Sequence, residues 1–170
     1  MDKRLNKQFE RATRNLLNTV DSMGLDRLSR LQAKNFILLF RDSFKLEPVK
    51  RAVFKYDIGN EYNDFPYDSY GFCRASSFSF LALMNNPQWQ LMYINGAWQY
   101  GPHYYIMHTP SKTVLDLTYD QYEYDGHDIP YHLGRPVKID ANGRNVVIRF
   151  LHAIGVDHMR VIQNLDSGRF

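Results

Sequence analysis

Apolar residues recur at helical spacing from the start of the chain. Leu5, Phe9, Ala12, Leu16, Val20 and Met23 are separated by charged and amide residues, and Gly24 stops the run. A second helix is predicted from Asp26, as its cap, to about Phe44, with Leu28, Leu31, Phe36 and Leu39 buried and Pro48 ending it. From Asp57 to Tyr70 the chain is rich in turn formers and tyrosine and reads as an irregular loop. Cys73 to about Met84 reads as a third helix, stopped at Asn85-Asn86-Pro87. The period then changes to two. Trp89, Leu91 and Tyr93 alternate, Asn95-Gly96 gives a tight hairpin turn, and Trp98 and Tyr100 alternate again. A second hairpin is predicted from His103–His108 and Thr113–Leu117 about the turn at Thr109-Pro110-Ser111-Lys112. Tyr119 to Pro136 reads as a long polar loop, and a last helix runs from Asn145 to Ala153, ended by Gly155. Helices followed by an antiparallel sheet make the class α+β. The expected organisation is one compact domain, with a helical segment over 1–48 packed on a core over 49–170.

Composition narrows the function. With 44% hydrophobic residues in 170 the chain has enough apolar surface for one packed core. A net charge of +3, spread among both signs, lacks the basic stripe that nucleic acid requires. No glycine-rich loop with a lysine is present to cradle phosphate. The single cysteine excludes a disulfide framework and a multi-cysteine zinc site. His127 and His132 fall in a loop with no metal-ligand spacing, so neither metal nor cofactor is expected. The apolar runs are too short to span a membrane, and Met1-Asp2-Lys3-Arg4 leads into no apolar segment of the leader type. A soluble cytoplasmic protein is expected; delivery into another cell as an effector is compatible with this.

The chemistry centres on that one thiol. A lone cysteine is most often a small buried hydrophobe. Cys73, however, follows Gly71-Phe72 and opens a helix of small residues (Ala75, Ser76, Ser77, Ser79), where helix amides favour a thiolate and an oxyanion. A base and an orienting group follow in order. His103 begins a strand, and Asp116 ends Val114-Leu115-Asp116, an awkward place for a charge without a partner. Folding the hairpin about Pro110 brings His103 opposite roughly Asp116 to Thr118, and a compatible register puts His103 and Asp116 on one face. Tyr70 and Asp68, just before the nucleophile, and Tyr119 and Gln121, just after the acidic strand, are candidates for a substrate wall or an oxyanion site.

Three segments carry a family likeness. GFCRASS around Cys73, GPHYYIM around His103 and VLDLTYDQY around Asp116 resemble, in that order, the papain-like cysteine superfamily, closest to its transglutaminase-like and NlpC-type branches. The chain departs from them at Leu117, where proline is common, and at Arg74, which stands where a tryptophan usually accompanies the nucleophile. The resemblance implies a helix carrying the nucleophile packed on an antiparallel sheet that supplies the histidine and the acid. It implies acyl transfer from a peptide or amide, with no cofactor, to water (peptidase, amidase or deamidase) or to an amine (transglutaminase). A different class of function uses the same scaffold without chemistry: an interaction module gripping a partner through its tyrosines and a basic N-terminal helix bearing Lys3, Arg4, Lys7, Arg11 and Arg14.

Overall fold

The computed structural model describes residues 3–57, 68–96, 101–123 and 126–166. The first stripe folds as expected: helix α1 (Lys3–Ser22) buries Phe9, Ala12, Leu16 and Val20 along one side. Asp26 caps α2 (Arg27–Ser43), its carboxylate accepting from the amides of Leu28 and Ser29 at 2.9 and 3.0 Å.

The buried face of α2 differs from the expectation. Ala33, Ile37, Phe40 and Arg41 point inward, while Leu28, Leu31, Leu38 and Leu39 are exposed. Two apolar stripes compete on this helix, and the aromatic one wins because its rings continue into a larger cluster. Phe36 meets Phe80 edge-on, Phe40 meets Phe150 edge-on, and Phe44 stacks on Phe72 with centroids 4.4 Å apart. Pro48 also acts differently. It stands in the first turn of a further helix, α3 (Glu47–Asp57), where its missing N–H has no intrahelical bond to make.

Helix α4 (Cys73–Met84) lies where its apolar and small residues predict. The sheet is antiparallel, in the order β3-β2-β1-β4, with β1 Trp89–Ile94, β2 His103–His108, β3 Thr113–Leu115 and β4 Arg135–Pro136. Ile94 pairs with His103, so residues 95–102 connect β1 to β2 and the tight turn at Asn95-Gly96 does not. Trp98 and Tyr100, expected on a strand, lie outside the described residues, as do residues 58–67 of the tyrosine-rich loop. One face of the sheet presents Trp89, Tyr104, Ile106 and Leu115 toward the main core, with Phe80 edge-on to Trp89 and Phe78 edge-on to Tyr104. The other face carries Met92, Ile94 and Tyr105, covered by Tyr131.

The stretch read as a polar loop holds short helix α5 (Asp120–Glu123), a 3-10 turn (Tyr131–Leu133) and β4. Helix α6 (Ala141–Ala153) begins earlier than its apolar pattern suggests, because Asp140 caps it through the amide of Gly143. Gly143 has a packing reason to be glycine there: a Cβ at that position would collide with the Phe78 ring. A seventh helix, α7 (Met159–Asp166), was not legible in the sequence; it adds Val161 to the core. The main buried cluster contains Phe9, Leu16 and Ile37 from the N-terminal helices together with Phe80, Leu91, Ile106 and Phe150. None of the helices in the described residues is long and apolar enough to cross a membrane.

Candidate active site

Cys73 is positioned by the two residues before it. Gly71 has φ +74°, a left-handed conformation that side chains with a Cβ resist. The turn it permits drives Phe72 into the core between Phe44 and Phe54. Cys73 is thereby held at the first position of α4, partly exposed. Phe72, as the residue before the helix, offers no side-chain oxygen to the first-turn amides. Ser76 donates back to the Phe72 carbonyl at 2.8 Å, and Ser77 to the Tyr104 carbonyl at 3.2 Å, tying the start of α4 to itself and to β2.

His103 and Asp116 meet. His103 Nε2 lies 2.6 Å from Asp116 Oδ2, and both side chains are buried. The register explains this: Ile106 pairs with Leu115, so Asp116, the next residue after β3, falls on the face that carries Tyr105 and His103, and the turn at 117–119 folds Thr118 back onto the carboxylate. The carboxylate has four bonds among the described residues. Oδ1 accepts from the Thr118 amide at 3.0 Å and its hydroxyl at 3.1 Å, and Oδ2 also accepts from the Tyr131 hydroxyl at 2.9 Å. Burial alone would raise the Asp116 pKa, but the charge and hydrogen bond of His103 prevail and hold it below the ordinary carboxylate range. Burial likewise opposes the charged form of His103. The Asp116 carboxylate outweighs that and, helped by a hydrogen bond with Cys73, pushes His103 up to about 10. With Nε2 committed to Asp116, Nδ1 is the nitrogen left for the sulfur. The Tyr122 hydroxyl stands 3.3 Å from that nitrogen, with its ring edge-on to the imidazole. Burial, with Cys73 and the Asp116 carboxylate nearby, raises the Tyr122 pKa, so this hydroxyl stays protonated.

The flanking candidates divide. Gln121 is buried, its Oε1 accepts from the Gly71 amide at 3.4 Å, and its Nε2 has no hydrogen-bond partner among the described residues. Tyr70 is close enough to Tyr122 to act on its charge. Asp68 pairs with Lys50 of α3 at 3.4 Å. Tyr119 turns toward α1, where its hydroxyl accepts from Asn15 at 3.1 Å. The structure thus gathers Cys73, His103, Asp116 and, one shell out, Gln121 and Tyr70, while Asp68 and Tyr119 make contacts to α3 and α1.

Three contributors were not singled out from sequence. Thr118 lies in the VLDLTYDQY segment with no role of its own assigned, and Tyr122 and Tyr131 sit in a stretch without periodicity. A fourth, Arg41, hides within an apolar run. Its guanidinium is fully buried and all five N–H donors are used. They reach both oxygens of Asp120 at 2.8 and 2.9 Å, the carbonyls of Leu117 and Phe9, and Thr13 Oγ1. This clamp fixes the segment that carries Thr118, Gln121 and Tyr122. Among the described residues no group of three or more His, Cys, Asp or Glu side chains converges as a metal ion would need.

The Tyr131 contact depends on Gly134. The Tyr105 hydroxyl donates to the Tyr131 carbonyl at 3.0 Å, and a Cβ on Gly134 would occupy the place of that hydroxyl. Gly134→Ala is expected to cost about 1–3 kcal/mol in a urea titration, as overpacking of a buried contact does. The same substitution is expected to change Cys73 reactivity, because Tyr131 is displaced from Asp116. A Gly134→Ala protein with unchanged midpoint and unchanged thiol reactivity would show that this packing is not needed.

No protein-family model, curated protein or solved structure matches this chain.

Proposed function

We propose that the chain is a cysteine-dependent acyl-transfer enzyme built on a papain-like core, acting on a peptide or amide. The observation that carries this reading is the buried His103–Asp116 pair at 2.6 Å, with the same imidazole hydrogen-bonded to a partly exposed thiol at a helix start. A buried ion pair is a poor way to gain stability, whereas it is what a thiolate–imidazolium couple requires. The arrangement of helix α4 on an antiparallel sheet and the order Cys73, His103, Asp116 support the same likeness.

In this reading Cys73 Sγ, its proton already held on His103 Nδ1, attacks the carbonyl carbon, forming a C–S bond as the C=O pair moves onto oxygen. The first-turn amides of α4 and the Nε2 of Gln121 are the donors for that oxyanion. The C–N bond then breaks, and His103 delivers its proton to the departing amine. Water or a second amine attacks the thioester carbon with His103 taking its proton; the adduct then re-forms the C=O as the C–S bond breaks, which restores the thiolate–imidazolium couple. Asp116 holds the ring with Nε2 inward throughout.

Because Cys73 is the only cysteine, iodoacetamide reports on it without assignment. The native protein is expected to alkylate readily at about pH 6, where an ordinary thiol is mostly protonated, and His103→Ala to slow this by about tenfold or more. Labelling only after denaturation would make Cys73 a packed structural thiol and end the proposal.

A further inference from the structure

The leucines that α2 leaves outside form an ordered face. Leu28 and Leu31 are 64% and 56% exposed, and Leu38, Leu39, Asn35 and Asp42 are exposed beside them. At 100° per residue Leu28, Leu31, Asn35, Leu38, Leu39 and Asp42 all fall on the side opposite the buried Ala33, Ile37 and Phe40. The face is also self-complementary. Its order is a cation (Arg27), leucines (28, 31), an amide (Asn35), leucines (38, 39) and an anion (Asp42). Neither Arg27 nor Asp42 is paired within the chain among the described residues, although Lys34, Arg41, Arg51 and other neighbours are.

We infer that this face is an interface between two copies of the chain, with α2 packed antiparallel against α2 of the second copy across a two-fold axis at Asn35. Residues at equal steps from Asn35 then meet: Leu31 faces the second Leu39, and Leu38 the second Gln32. By the same rule Leu28 lies against the second Asp42, and Arg27, one residue further along, reaches over it to neutralise that carboxylate. The two Asn35 amides lie side by side at the axis, each with a donor and an acceptor for the other. A two-fold interface demands such a pattern, since each patch must match its own rotated copy. A helix presenting like charges at both ends would repel itself in this arrangement; opposite ends attract. Two helix axes about 8–10 Å apart bring the axial side chains into contact.

Sedimentation velocity on the full chain from about 1 to 100 μM is the test, a range that spans weak homodimers. A concentration-dependent shift to twice the monomer mass is expected, and Leu31→Glu, an exposed position that leaves the core intact, abolishes it. Arg27→Asp and Asp42→Arg each weaken association by about tenfold or more, and the double variant regains most of the loss. In a Cys73→Ser background, Asn35→Cys is expected to form an intermolecular disulfide on mild oxidation, whereas Arg14→Cys, on exposed α1, does not. A monomer at every concentration overturns the inference, as does a dimer that survives Leu31→Glu. A double reversal no better than either single one overturns the antiparallel register.

Discussion

Arg41→Ala is expected to lower the stability of the protein by about 3–5 kcal/mol, the range for breaking a buried charge pair. The reason is what the truncation leaves behind. Asp120 remains buried with no cation, and the carbonyls of Leu117 and Phe9 lose a donor that water does not reach. The ring of Phe9, which the guanidinium covers at 3.8 Å, also loses its neighbour. Arg41→Lys fares little better, because an ammonium has three donors and no planar fork to engage both oxygens of Asp120. Arg41→Met combined with Asp120→Leu should recover much of the loss, since apolar residues of similar volume often replace a buried pair at little cost. The measurement is the urea midpoint of the four proteins under one buffer. A loss below about 1 kcal/mol for Arg41→Ala would mean that water reaches the clamp. The clamp also bears on the site. Arg41 ties α1 and α2 to residues 117–120, so the N-terminal helices set the position of Thr118, Gln121 and Tyr122 although none of the three contacts them through Arg41 directly.

That dependence marks where the sequence could be read and where it could not. Period and punctuation sufficed for α1, α4, β1 and β2, because one stripe or one alternation dominated each. Asp26 announced its helix for the same local reason. On α2 two apolar stripes were present, and the choice between them lay in rings far away in sequence, Phe80 and Phe150. The charge of Arg41 counted against the side that is in fact buried, since its partner Asp120 is remote in the chain. The candidate site was legible as far as parity reaches. A hairpin turning about Pro110 places His103 and Asp116 on one side whichever even offset is taken. The residues that complete the carboxylate's shell are a different matter: Tyr131 arrives from a 3-10 turn, and Tyr122 from a one-turn helix too short to carry a pattern.

Asp116→Asn is expected to reverse the response of the protein to pH. In the wild type His103 is raised from 6.5 in the unfolded chain to about 10, so its pairing adds stability in full below about pH 6.5. That contribution is lost as pH rises through about 10. Asp116, lowered from 3.8, adds stability above that value, which is lost as pH falls below it. The melting temperature is therefore expected to hold through mildly acidic and neutral solution and to fall toward either side. Asparagine keeps the shape and removes the charge. Burial then becomes the leading influence on His103 and lowers its pKa, so the folded variant binds fewer protons than the unfolded chain and gains stability as pH rises through about 6.5. The thiol loses its cationic neighbour in the same step. Alkylation of Cys73 at about pH 6 should drop by tenfold or more, while labelling at about pH 9, where any exposed thiol is ionised, changes far less. This split separates an electrostatic role from a structural one, because a merely loosened fold would raise labelling at both values. Equal rates for the two proteins at pH 6, with parallel melting profiles, would remove Asp116 from the chemistry.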